Sequence, residues 1–159
     1  PIGTGLVTAS GTDEQKREVI AGMRTLNKKA AEDLRRYAID VHAVTDVTGY
    51  GLAGHGWEMA ERSGIKFIVD TMSLPLYSGA HDLAVSGTRT GGDARNRSYV
   101  GDHAVINADE TYVALCMDPQ TSGGLLAAVA PKVAHALVSE GMWVSIGSFE
   151  SGTPVIELR

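Results

Sequence analysis

Two strings in this 159-residue chain set acidic or hydroxyl side chains beside glycines, a combination suited to holding phosphate and a hard metal ion. The first is Thr45-Asp46-Val47-Thr48-Gly49-Tyr50-Gly51, running on into Leu52-Ala53-Gly54-His55. Val41 to Val47 reads as a strand, and a helix is expected from about Leu52 to Arg62. Asp46 is thereby delivered to the carboxyl end of a strand, and Thr48, Gly49 and Gly51 to the turn that opens a helix. Free amides and the positive end of the helix dipole favour phosphate at such a turn. A neighbouring carboxylate can hold Mg²⁺, which takes one or two protein carboxylates together with phosphate and water oxygens. An aspartate capping a tight, glycine-relieved bend produces the same string, and the pattern by itself does not choose. No lysine follows the glycines, so this is not the G-x-x-x-x-G-K-[ST] phosphate loop.

The second string is Asp118-Pro119-Gln120-Thr121-Ser122-Gly123-Gly124. Proline holds Asp118 extended. The two glycines permit close backbone approach, and Thr121, Ser122 and nearby amides could face an anion as a nest. A helix-to-strand connection built on side-chain turn bonds is the alternative. Two weaker strings accompany these. Pro1-Ile2-Gly3-Thr4-Gly5 carries a Gly-x-Gly pair of the kind common in bends. Gly91-Gly92-Asp93-Ala94-Arg95-Asn96-Arg97 offers two arginines and an asparagine that could reach phosphates or simply be solvated.

No pair among His42, His55, His81, His103 and His135 has the i, i+4 spacing with an intervening glutamate that marks a zinc protease helix. His55 is expected to be a satisfied structural histidine or to orient a neighbour. Cys116 lies in an apolar stretch and is expected to be an inert buried thiol. No serine stands in a G-x-S-x-G elbow. The chain therefore has no self-sufficient catalytic set. One cysteine excludes an intrachain disulfide framework and fits a reducing, cytoplasmic setting. A net charge of −5 gives no basic footprint for nucleic acid and argues against an anionic membrane surface. No apolar run reaches the length of a membrane span.

The elements that must position these residues alternate along the chain. After an apolar, strand-like opening over Ile2–Val7, helices are expected from Thr12 to Met23 and from about Thr25 to Ala38. The second would bury a stripe of Leu26, Ala30, Leu34 and Tyr37, leaving Lys28, Lys29, Asp33 and Arg36 outside. The helix after Gly51 should end on Gly64. Ile65–Val69 follows as a strand with Ile65, Phe67 and Val69 on one face, and Pro75 opens a short helical segment to Val85. Ser86–Gly101 reads as a long loop. Asp109–Met117 is a helix, Leu125–Ala130 a strand buried on both faces, and Pro131 begins a helix that Gly141 stops. Trp143–Phe149 and Pro154–Leu158 are closing strands. The alternation predicts one domain over residues 1–159, of α+β or α/β layered-sandwich type, with a mixed β-sheet flanked by helices. A chain opening on Pro1 rather than Met reads as a segment of a longer protein.

Taken in order, PIGTG, TLNKKAA, TDVTGYGLAGH, GGDARN and DPQTSGGLL resemble the carboxy-terminal half of selenophosphate synthetase (selenide, water dikinase), in the aminoimidazole ribonucleotide synthetase superfamily. TDVTGYGLAGH and DPQTSGGLL are the most specific. The resemblance implies the carboxy-terminal fold of aminoimidazole ribonucleotide synthetase. It implies a part in making selenophosphate, AMP and phosphate from selenide, ATP and water. The nucleophile, most ATP contacts and two Mg²⁺-binding aspartates would lie in an amino-terminal domain, with full-length subunits pairing as a homodimer. The position matching the family's remaining Mg²⁺ ligand is Asp46. Thr48, Gly49, Gly51, Thr121 and Ser122 are the expected nucleotide-facing positions, and this segment alone is expected to be inactive. At Asp93 the family usually has threonine, so the added negative charge counts against a phosphate contact there. Another ATP-dependent enzyme of the superfamily, or a non-catalytic binding or dimerisation module, are the competing readings.

Overall fold

The computed structural model describes residues 1–159. Its helices are α1 (Thr4–Ser10), α2 (Asp13–Met23), α3 (Lys28–Arg35), α4 (Gly51–Ser63), α5 (Ala80–Val85), α6 (Gly91–Val100), α7 (Glu110–Met117) and α8 (Pro131–Ser139). Its strands are β1 (Val41–Asp46), β2 (Lys66–Val69), β3 (Ala104–Ile106), β4 (Leu125–Val129), β5 (Gly147–Glu150) and β6 (Ile156–Leu158). The strands form two sheets. One is mixed, in the order β3-β6-β2-β5, with β6 parallel to both β3 and β2 and β5 antiparallel to β2. The other is the antiparallel pair β1 and β4, in which Asp46 stands opposite Leu125. The mixed sheet flanked by helices is therefore present, with a two-stranded sheet beside it. No helix is long and apolar enough to cross a membrane.

The core forms where α4 crosses from β1 to β2. Leu52, Ala53, Trp57 and Ala60 bury one side of α4 among Leu6 and Val7 of α1, Val69 of β2, Leu115 of α7 and Ile156 and Leu158 of β6. Each of the large aliphatic side chains among these contributes about 1.5–3 kcal/mol of burial, which together outweighs the weak intrinsic preference of a helix rich in glycine. Thr12 begins α2 through a capping box with Gln15, Gly64 ends α4 in the left-handed region, and Pro131 opens α8, all where local chemistry places them.

Several expected elements differ. The opening Ile2–Val7 is not a strand: only Ile2 bridges Leu76, and a helix starts at Thr4. Ser86–Gly101 is not a loop, because α6 fills most of it. Its Asp93–Arg97 pair and the buried Asn96 anchor a helix whose only buried large apolar side chain is Val100, so hydrophobic periodicity could not reveal it. In the second helix Leu26 is 79% exposed while Asp33 is buried and paired with Lys29 and Arg36. The helix begins at Lys28, so Leu26 never joins its stripe. Pro75 does not open a helix: Leu76 bridges Ile2, whose amide donates to the Pro75 carbonyl, and a turn through Ser78 and Gly79 comes before the helix at Ala80. Phe67, Ile68 and Val69 are all buried, so both faces of β2 are covered and the expected alternation is lost. Conversely, only Leu126 of β4 is fully buried, so the faces of that strand are less completely covered than the apolar run led one to expect. The closing strands shrink to Gly147–Glu150 and Ile156–Leu158.

Asn96 ties α6 to the rest: its amide donates to the carbonyls of Gly49 (3.0 Å) and Met117 (2.8 Å). Asn96→Ala should cost about 2 kcal/mol by stranding these acceptors, read as a lowered urea midpoint at unchanged m-value.

Candidate functional site

At the carboxyl end of β1 the chain leaves the sheet through Val47 and Thr48, turns at Gly49-Tyr50 and enters α4. The turn closes by a 2.9 Å bond from the Gly51 amide to the Thr48 carbonyl. Gly51 has φ +69°, and a β-carbon there would lie 2.7 Å from the Cys116 carbonyl oxygen. Both conditions demand glycine. The Asp46 side chain is exposed at this rim, and Thr48, two residues on, is half-buried. Asp46, Thr48, Gly49 and Gly51 are thus gathered in one corner, as expected.

The DPQTSGG segment is built against the same strand end. The Val47 amide donates to the Gly124 carbonyl (3.0 Å), and the Gln120 amide donates to the Thr48 carbonyl (3.0 Å). Gly123 lies so close that an added β-carbon would fall 2.1 Å from the Val47 oxygen. Thr121 and Ser122 are exposed on this loop, Ser122 with φ 49°. Pairing of β1 with β4 is what brings the two loops to one end of the sheet.

Asp118 and Gln120 face inward and serve a different purpose from anion binding. Gln120 Oε1 accepts from the amides of Gly3 and Thr4 (both 3.1 Å) and from Thr4 Oγ1 (3.0 Å). Asp118 Oδ2 accepts from the amides of Gly5 (2.9 Å) and Leu6 (3.3 Å). These four amides are the ones a helix start leaves without an intrahelical partner. The PIGTG string and the DPQ string are therefore two halves of one capped helix start. The Thr121 amide is also taken, by Thr4 Oγ1 (3.1 Å), so it does not contribute to an anion nest.

The GGDARN string folds inward as well. Asp93 is buried, and its carboxylate accepts from Arg97 Nε (2.7 Å). Arg97 also holds Glu110 (2.7 Å). The charge that departs from the expected threonine is answered within the chain, and Arg97 is not a free phosphate ligand. Cys116 is buried in the core, its thiol pushed up to about 12 by burial, which makes it inert. Asn96, expected to reach phosphates or to be solvated, is instead buried and spends its amide on the Gly49 and Met117 carbonyls. Sequence reasoning did not anticipate Glu58 and Tyr99, whose carboxylate and phenol meet at 3.0 Å. Their partners are 41 residues apart, on different helices.

No group of three or more histidine, cysteine, aspartate or glutamate side chains converges anywhere in the chain. Asp46 and Thr48 are hard oxygen donors of the type Mg²⁺ accepts, yet they constitute a fraction of a coordination shell.

Comparison with known proteins places the molecule. Residues 3–153 match the family described as AIR synthase related protein, C-terminal domain. The selenide, water dikinase of Treponema denticola is 42% identical over 146 residues, covering 88% of this chain and 41% of that protein. That of Caldanaerobacter subterraneus subsp. tengcongensis is 38% identical over 143 residues, covering 86% and 41%. That of Pseudomonas straminea is 34% identical over 169 aligned positions, covering 98% and 47%. The chain spans less than half the length of these relatives. Among solved structures, the thiamine monophosphate kinase of Aquifex aeolicus superposes with TM-score 0.56 at 14% identity, covering 99% of this chain and 46% of that one. The hydrogenase maturation protein HypE superposes with TM-score 0.57 at 20% identity, covering 94% and 42%. At those identities the two show a shared fold.

Burial pushes the Asp118 carboxyl from its ordinary 3.8 up to about 6, although bonds from Leu6, Gly5, Gln120 and Thr90 pull it down. Folding therefore favours the protonated acid. Its contribution is complete below the unfolded value and is lost as pH rises through about 6. The stability of the wild type relative to Asp118→Asn should fall by about 2–3 kcal/mol between pH 4 and pH 7. Paired urea denaturation at several pH values measures it; a constant difference contradicts it.

Proposed function

Because this chain belongs to the AIR synthase related protein, C-terminal domain family, we propose that it is the carboxy-terminal domain of a selenide, water dikinase. In that role it supplies Asp46 and the Thr48–Gly51 turn to an ATP- and Mg²⁺-dependent synthesis of selenophosphate. The observation that carries the reading is the juxtaposition of two features. An exposed aspartate ends β1 beside a glycine turn that opens α4, in a chain 34–42% identical to proteins bearing that name.

Asp46 is free to leave the surface of this domain as an oxygen ligand, since its neighbours in the turn are held by backbone bonds and do not need its carboxylate. Mg²⁺, when bound with ATP, neutralises charge that develops on phosphate oxygens during phosphoryl transfer. The chain's own contribution is to hold one ligand still. Val47 and Thr48 are pinned by Gly124 and Gln120, and the Gly49 carbonyl by Asn96. A ligand fixed before the reaction loses little freedom when the nucleotide arrives. Thr121 and Ser122, exposed on the adjoining loop, would line the same rim. The remaining cation ligands and the nucleophile belong to an amino-terminal domain, and the full-length subunits form a homodimer in the cytoplasm. The relatives' greater length and the absence of a convergent ligand cluster support that division.

In the full-length protein, Asp46→Asn should reduce selenide-dependent AMP formation at least ~100-fold. Far-ultraviolet circular dichroism should not change, because the side chain is exposed. Near-normal turnover sinks the assignment. Residues 1–159 alone should release no AMP from ATP and selenide; robust turnover would show that the missing groups are not required.

A further inference from the structure

Thr48 begins a continuous line of hydrogen bonds running from the rim into the space between α4 and α6. Thr48 Oγ1 lies 3.0 Å from His55 Nε2. His55 Nδ1 lies 3.2 Å from Glu58 Oε2, and the Tyr99 hydroxyl donates to Glu58 Oε1 at 3.0 Å. His55 is only 8% exposed. The Tyr50 ring meets it edge-on with centroids 5.9 Å apart and stacks on Tyr99 at 4.5 Å, so the imidazole is held in orientation as well as in place. Residues 48, 55 and 58 come from one turn and the first two turns of α4, where i, i+3 spacing sets His55 over Glu58.

The proton bookkeeping along this line has one consistent solution for a neutral imidazole. An ionised carboxylate only accepts. With Tyr99 donating to one oxygen of Glu58, the other takes the Nδ1 proton of His55. The single ring proton is then spent, and Nε2 presents a lone pair. The Thr48 hydroxyl must donate to it. A hydroxyl has one proton, so Thr48 Oγ1 keeps only lone pairs for anything else.

We propose that His55, held by Glu58 and Tyr99, is a positioning residue that makes Thr48 Oγ1 a pure acceptor, a second hard oxygen beside Asp46 for a divalent cation. This rests on the reading of Asp46 as a metal ligand. It alters the part of Thr48 in that reading: the side chain does not donate to phosphate oxygens, because its proton is engaged. Carboxylate–histidine pairs that fix a tautomer and orient a ligand are an established way of tuning metal sites. Here the histidine acts one atom further out, through a hydroxyl.

Two measurements test it. Long-range ¹H–¹⁵N spectra of the chain at pH 7.5 should show His55 protonated on Nδ1 and bare on Nε2. An Nε2-protonated or doubly protonated ring overturns the proposal. Mn²⁺, standing in for Mg²⁺, is then titrated into the full-length protein with ATP and followed by electron paramagnetic resonance. Thr48→Ser should hold the affinity within about threefold, whereas Thr48→Val and Glu58→Gln should each weaken it ~10-fold or more. Glu58→Gln should also shift the His55 spectrum toward the Nε2 proton, which a purely structural role would not do. Unchanged Mn²⁺ affinity in Thr48→Val overturns the proposal; if Asp46→Asn then still loses the ion, the metal reading stands. Unchanged affinity in Asp46→Asn removes both.

Discussion

Asp118 and Gln120 satisfy all four amides that the start of α1 leaves open, from a loop more than a hundred residues away in sequence. That capture is the constraint on which the rest of the corner depends. An uncapped helix start buried among Leu6, Val7 and Pro119 would strand several donors at about 1–3 kcal/mol each. The carboxylate in turn would have no reason to be buried without those amides, since burial alone pushes it toward the neutral form. Each side makes the other tenable. Once they meet, the loop from 118 to 124 is fixed, and with it the strand end that carries Asp46, through the Gln120–Thr48 and Gly124–Val47 bonds.

The same logic extends around the turn. Asn96 reaches from α6 to the Gly49 and Met117 carbonyls, so α4, α6 and α7 converge on one backbone segment. Polar residues in this corner divide by exposure. The buried ones, Asp118, Gln120, Asn96 and Asp93, are consumed in bracing. The exposed ones, Asp46, Thr121 and Ser122, stay available at the rim. A rigid support beneath a small number of free oxygen donors fits the proposed role of a domain that completes a site, and the chain spans less than half the length of its relatives. His55 sits between the two classes, buried yet linked to the rim through Thr48.

What the residues determine locally is considerable. Thr12, Gly64 and Pro131 end or begin helices through short-range chemistry that needs no partner. Asp46 followed by a glycine turn is legible as a strand end feeding a helix, because strand and helix patterns abut there and Gly51 alone tolerates the left-handed bend. The inertness of Cys116 follows from its apolar neighbours. The order of the glycine-bearing strings was enough to suggest the family that the comparisons then bore out.

Tertiary structure decided the remainder. The opening apolar string became a helix because distant acceptors were waiting for its amides, a term absent from any local window. GGDARN forms a helix anchored by Asn96 on the distant Gly49 and Met117 carbonyls and supported by the Asp93–Arg97 pair, although its hydrophobic pattern is nearly silent. Phe67–Val69 and Leu125–Val129 exchanged their expected burial because that depends on what packs against each face of the sheet, which sequence period does not encode. Most consequentially, DPQTSGG left an anion nest and a side-chain-bonded connection equally legible, and the fold showed that Asp118 and Gln120 brace the start of α1. Side-chain type specifies which hydrogen bonds a residue can make, but only the folded chain determines which partner arrives first.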